Sequence, residues 1–211
     1  QHGNGILHVT TRQDIQIHGA GLDSLHPALL DLYNAGLSST GGGGNAVRNI
    51  TTCFDTGVCA KEAFDVSPYS IALTEKLLAD PSSYQLPRKF KISFSGCSKD
   101  CAGACVSDVG FIAKLKDGEK GFSVYVGGGM GHFSRVADLL EEFIPESEVF
   151  KIAEAVKRVF NKHGDRTNRH KARLRFLIEK IGLDEFKSHY QKELSELKTI
   201  ALSIPEIKQF S

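Results

Sequence analysis

The sequence predicts an α+β fold: a mixed α/β module carrying all five cysteines, with a short strand segment before it and helices after it. Three observations predict this. The runs KFKISFSG, VGFIAKL and GFSVYVGGG are rich in apolar and β-branched residues, and Asp-Gly and Gly punctuate the last two. From Phe133 onward, apolar residues recur at intervals of three and four, the period of a helix face. Upstream of both regions the glycine-rich SSTGGGGNAVRN reads as a flexible connection that sets the first strand and helix apart from the module.

Taken in order, residues 6–18, ILHVTTRQDIQIH, alternate in part and read as strand with a bend near Thr11. LDSLHPALLDLYNAG reads as a helix capped by Asp23 or Ser24, with Leu25, Leu29, Leu30 and Leu32 on its apolar face and Gly36 ending it. SPYSIALTEKLLAD reads as a second helix, with Ser67 as N-cap, Pro68 at its first position and Pro81 past its end. The three strand candidates follow. SRVADLLEEFI, ESEVFKIAEAVKRVFNKHG, NRHKARLRFLIEKIG and LDEFKSHYQKELSEL then read as helices. The predicted division is a strand-bearing segment at 1–36, the α/β module at 37–145 and a helical segment at 146–211.

Composition narrows the function classes. Of 211 residues, 41% are hydrophobic and 24% charged, so a core forms without disulfide staples, and an odd cysteine count argues against a secreted disulfide framework. A reducing, cytoplasmic setting is expected. The net charge of +1 argues against a nucleic-acid partner, and no run is long enough to cross a membrane. The chain opens QHGNGILHVTTRQ, without Met and within a strand pattern, which predicts a piece of something longer.

All five cysteines lie in CFDTGVCAKEAFDV and SGCSKDCAGAC, giving C-x5-C, a gap of 37 residues, then C-x3-C. Buried structural thiols are one reading, but Gly, Ser and Asp surround these cysteines. Zinc is another, but its knuckles favour tighter pairs. An iron–sulfur cluster needs four thiolates converging from opposite sides on a wider object, which suits two separated loops. If the stretch after GCSKDC starts a helix, its free N–H groups would stabilise a negative cluster. Cys101 and Cys105 also form a C-x3-C, so spacing alone leaves Cys105 open as a ligand.

The ordered set TTRQDIQIHG, GNAVRNITTC, the cysteine frame, LPRKFKISFSGC, DVGFIA, VYVGGGMG and HGDRTNRHKARLRFLIEKIG resembles the sirohaem- and [4Fe–4S]-containing sulfite and nitrite reductases, from Gln1 to about residue 195. The resemblance implies that 1–36 is part of a ferredoxin-like repeat and that the chain is one half of the usual two-half enzyme. It implies a [4Fe–4S] cluster on Cys53, Cys59, Cys97 and Cys101, with Cys101 bridging to the sirohaem iron. Arg12, Arg48, Lys89 and Lys91 are then expected to bind and protonate an anionic substrate, and Arg12 and Arg48 alternatively to hold sirohaem carboxylates. Thr10, Thr11, Gln13 and Asn49 resemble the family's sirohaem contacts or are ordinary strand polarity, while Gly127, Gly128 and Gly129 either approach the macrocycle or form a plain turn. In a strand, Lys89 and Lys91 share a face opposite Phe90. Relatives often carry LPRK in both halves, so here it fits either an active-site lining or a remnant. His2, His8, His18 and His132 read as structural or surface residues, and DRTNRHKAR as a solvated helix start.

The expected function is six-electron reduction of sulfite to sulfide, or of nitrite to ammonia, with electrons from a ferredoxin or flavoprotein and a second half completing the sirohaem site. The rival readings are a [4Fe–4S] electron-transfer module without sirohaem and a cofactor-free fragment.

Overall fold

The computed structural model describes residues 2–198 and 203–205. The outer limits of the predicted segments, at residues 1 and 211, lie outside the described residues.

Residues 6–18 form a hairpin of β1 (Leu7–Val9) and β2 (Ile15–Ile17), paired antiparallel with Leu7 opposite Ile17. Gln13, in the left-handed region at φ 59°, makes the turn at the predicted bend. The first helix, α1, spans Leu22–Asn34 and is capped by Gly21 without a side-chain bond, not by Asp23 or Ser24. Its predicted apolar face has little to pack on. Ala28 is buried, but Leu25, Leu29 and Leu30 are 44–50% exposed. A face patterned for burial is thus open among the described residues.

The second helix, α2, spans Ser67–Leu78, with Val66 as N-cap and Ser67 at the first helical position. Asp65 fills the predicted capping role by accepting from Ser67 N–H at 2.9 Å and Ser67 O–H at 2.7 Å. Pro81 opens a short 3-10 turn, Pro81–Tyr84.

The main sheet has the order β3 (Ile92–Ser95), β4 (Val109–Lys116), β5 (Glu119–Val126), β6 (Asp138–Pro145). β3 and β4 are parallel, and the other pairs antiparallel. On the outer side of β3, residues 47–51 run parallel through bridges Val47–Phe90 and Thr51–Ser93. Phe90, Ile92 and Phe94 point into the core, where Phe94 and Phe111 stack at 4.7 Å and Phe122 meets both edge-on.

The run SRVADLLEEFI, predicted helical, contains strand β6. The register shifts twice against β5 between Phe122 and Tyr125, so the buried residues Ala137, Leu140 and Ile144 fall three and four apart. A bulged strand therefore carries a helix-like period. The helices α3 (Val149–His163), α4 (Leu174–Ile181) and α5 (Leu183–Glu196) follow. α4 starts later than predicted, because residues 165–173 form turns in which Asp165 accepts from the Thr167 and Asn168 N–H groups. One hydrophobic cluster runs from Val47 to Tyr190 and joins sheet and helices.

Candidate functional site

Two parallel segments end at the same edge of the sheet. Residues 47–51 lead into Cys53, and β3 leads into Gly96 and Cys97. Because parallel neighbours share a C-terminal edge, loops far apart in sequence are delivered to one place, as in other open α/β sheets. Ala63 N–H donates to Gly96 O at 2.7 Å and pins the two loops together. Gly96 N–H also donates to Cys53 Sγ at 3.4 Å, the kind of bond that tunes a cluster thiolate.

The result is a recess lined by Cys53, Cys59, Cys97 and Cys101, with Asp55, Glu62 and Lys99 at its margin. Cys105 does not line it. Its thiol is pushed up to about 11 by burial and by Asp100. Among the described residues, no three Cys, His, Asp or Glu converge on a single metal-ion position, and the four thiols share the lining of this one recess. The stretch after GCSKDC is a 3-10 turn, Ala104–Val106, and not a helix. The N–H groups of Ala104 and Cys105 that could have faced a cluster donate to Asp100 at 2.6 and 2.8 Å. Asp100, at φ 53°, thereby fixes the bend that carries Cys101.

The face of β3 opposite the core is polar. Lys89 and Lys91 precede Ser93 and Ser95 on this stripe, which runs toward Cys97. Ser93 Oγ meets Thr51 Oγ1 at 2.9 Å and Ser107 Oγ at 2.7 Å. The hairpin turn docks on the same face. Arg12 donates to Asn49 O at 2.6 Å and Ile92 O at 3.3 Å, and Asn49 donates back to Arg12 O at 2.6 Å. Gln13 pairs its amide with the Thr52 peptide in both directions, at 3.0 and 3.1 Å, one residue before Cys53. Thr10 Oγ1 accepts from Arg12 and Asp14 N–H inside the turn, and Thr11 is exposed at its tip.

Arg48 points toward the glycine-rich loop, donating to Gly42 O at 2.5 Å and Gly44 O at 2.9 Å. Gly127, Gly128 and Gly129 are buried against protein. A Cβ on Gly128 would lie 2.7 Å from Cys105 O and 2.8 Å from Ser107 O, and one on Gly129 would meet Arg175. Gly127 turns the chain at φ 79° and donates to Asp108 O at 2.9 Å.

Two further residues belong to this face and were not found from sequence. Asp108 is fully buried and grips Arg173 with both carboxylate oxygens, at 3.2 and 2.8 Å. Arg173 closes DRTNRHKAR, so this end of the run is not the solvated helix start that its composition predicts. The buried partner lies 65 residues away, where local composition gives no sign of it. The one available signal was an acid directly before the apolar strand VGFIAKL. Burial, then repulsion from Arg12, Arg173 and Lys89, lowers Lys91 to about 8, against an opposing pull from Asp108. Lys89 is lowered by burial and by Arg173, Arg88 and Arg48. Nε of Arg48 and of Arg175 are buried without hydrogen-bond partners among the described residues.

Residues 43–198 match the family model described as the nitrite and sulphite reductase 4Fe-4S domain. The assimilatory ferredoxin-dependent nitrite reductase of Haloferax mediterranei is 33% identical over 199 residues, covering 92% of this chain and 34% of that protein. The sulfite reductase [NADPH] hemoprotein beta-component of Myxococcus xanthus is 30% identical over 224 residues, covering 92% and 40%. In structure, the Mycobacterium tuberculosis NirA protein matches with TM-score 0.83 at 27% identity, over 96% of this chain and 37% of that one. Dissimilatory sulfite reductase I (DsrI) shares the fold, with TM-score 0.79 at 16% identity, over 100% of this chain and 66% of that one. The chain thus spans roughly a third to two fifths of the curated relatives it matches. With four thiols around one recess and a family match over most of its length, the chain belongs to the nitrite and sulphite reductase 4Fe-4S domain family.

Proposed function

We propose that this chain is the cluster-bearing part of a sirohaem-dependent reductase that takes sulfite to sulfide, or nitrite to ammonia, with six electrons. Sulfite is the first reading. The observation that carries it is one strand, β3, with cations before it and a four-thiol recess after it. Cys53, Cys59, Cys97 and Cys101 would hold the [4Fe–4S] cluster, and Cys101 would bridge to the sirohaem iron. The Nε atoms of Arg48 and Arg175, without partners among the described residues, suit the carboxylates of such a macrocycle. When bound, the coupled cofactors supply electron storage beside the substrate.

The chain's own residues do the rest. Arg12, Lys89 and Lys91 attract the oxyanion, and Lys91, held at about 8, can pass a proton near neutral pH. Gly96 N–H stabilises negative charge on Cys53. A ferredoxin or flavoprotein would deliver electrons singly in the cytoplasm, and a second half would cover the sirohaem site. No helix among the described residues is long and apolar enough to cross a membrane.

The test is the absorption spectrum of anaerobically purified full-length protein. Sirohaem gives a Soret-type band and a band toward the red; a cluster alone gives a broad brown shoulder and would reduce the reading to an electron-transfer module. Absence of both iron and macrocycle absorption overturns the proposal. Cys101→Ser is expected to abolish the cluster and uncouple the haem, and Cys105→Ser to leave both spectra nearly unchanged. The opposite pattern refutes the ligand set.

A further inference from the structure

Asp108 sits at the entry to β4 with no exposed surface. Its Oδ2 accepts from Arg173 Nη2 at 2.8 Å and from the Lys91 main-chain N–H at 2.8 Å, while Oδ1 accepts from Arg173 Nε at 3.2 Å. Its carbonyl accepts from Gly127 N–H, and Val109 N–H donates to Lys91 O at 3.1 Å. One residue therefore ties the segment bearing both lysines to the 127–129 turn and to the start of α4.

Its charge matters as much as its bonds. Lys91 is faced by Arg12 from the hairpin turn, Lys89 from its own segment, Arg173 from before α4, and Asp108. Asp108 opposes the repulsion felt by Arg12, Lys89, Lys91 and Arg175 alike; Asp14 adds a second negative charge acting on Arg12 and Arg48. We propose that Asp108 is a positioning residue for the anion-binding face, the internal counter-ion that fixes Lys91 and Arg173 and sets how far the cation cluster stays charged. This rests on the reading of Arg12, Lys89 and Lys91 as the residues that attract the substrate anion.

The test measures nitrite affinity by calorimetry from pH 6 to 10 on the full-length protein as purified, whatever cofactor it carries. Nitrite keeps a single charge over this range, so the basic limb reports the protein. In the wild type that limb is expected near pH 8. Asp108→Asn removes the negative charge and moves the limb down by about one pH unit, whereas Arg173→Gln removes a neighbouring positive charge and moves it up by about one unit. The double variant Asp108→Asn/Arg173→Gln removes one charge of each sign and returns the limb close to the wild-type position. Opposite shifts that cancel support the proposal. A weaker affinity with the limb unmoved in all three variants means that the pair is only structural and overturns it.

Should Asp108→Asn fail to fold, the upward shift in Arg173→Gln and the return in the double variant still decide. The readout needs no haem absorption. A protein without sirohaem bands would therefore sink the function proposed above, and a fixed limb would sink this inference, each separately.

Discussion

Replacing Asp80 with Asn removes the charge that accompanies a buried lysine. Lys157 lies in α3 with its side chain 1% exposed, and its ammonium meets Asp80 Oδ2 at 2.5 Å, Glu154 Oε2 at 2.8 Å, Ser82 Oγ at 3.0 Å and Ser83 Oγ at 3.2 Å. Breaking a buried ion pair from one side costs about 3–5 kcal/mol. Here Lys157 keeps Glu154 and two hydroxyls, and the Asp80 side chain is 36% exposed, so the cost falls below that range. A second route agrees. Burial pushes the Asp80 carboxyl up, but hydrogen bonds from Lys157 and Ser82 outweigh it and hold it at about 2, against an ordinary 3.8. At about 1.4 kcal/mol per pH unit this is worth roughly 2.5 kcal/mol, and solvent screening reduces it to about 1–2 kcal/mol.

The pH dependence has a definite sign. A depressed carboxyl stabilises the fold fully above its unfolded value, near 4, and the contribution drains away as pH falls toward 2. Urea unfolding followed by far-ultraviolet circular dichroism should find Asp80→Asn about 1–2 kcal/mol less stable at pH 7, with the gap to wild type closing between pH 4 and 2. A difference below about 0.5 kcal/mol at pH 7, or a gap that does not change with pH, would refute the reasoning.

Three further outcomes follow from the geometry. Gln13→Ala loses both bonds to the Thr52 peptide, each worth about 0.5–1.5 kcal/mol, so hydrogen exchange at the Thr52 amide should quicken by roughly ten- to a hundredfold; unchanged exchange would mean that the hairpin does not brace the approach to Cys53. Gly128→Ala forces backbone to move, since its Cβ would lie under 3.0 Å from three main-chain atoms of residues 105–107, and should cost about 1–3 kcal/mol in the same unfolding assay. Phe122→Ala opens a hole among Phe64, Tyr69, Phe94 and Phe111, whose ring centres lie within 5.9 Å of it, and should cost about 3–5 kcal/mol; a loss under 1 kcal/mol would deny this cluster its role in the core.

VGFIAKL and GFSVYV were legible from sequence as continuous apolar runs bounded by Asp-Gly and Gly, since strands buried on both faces need no alternation, and the stretch from Val149 was legible because its burial follows the helical repeat. β6 was not legible, because two register shifts gave a strand the spacing of a helix. The cap of α2 was misplaced by one residue, since the carboxylate of Asp65 reaches over Ser67. At the site, the alternation of Lys89, Phe90 and Lys91 was readable, as each strand residue turns over from the last. Arg173 was not, because the acid that buries it lies on another element.

By itself, the sequence determined the family, through an ordered set of motifs, and the frame of cysteines that any cluster site must use. Only the tertiary structure decided which thiols share a recess, because C-x3-C fits Cys101 with either neighbour. The pairing of Thr51 with Ser93 delivers Cys53 and Cys97 to one sheet edge, and the Asp100 bend leaves Cys105 outside. It also decided how the cations are balanced. A spacing rule carries no information about a bond across 65 residues, whereas a buried carboxylate must have its partner, and folding supplied Arg173.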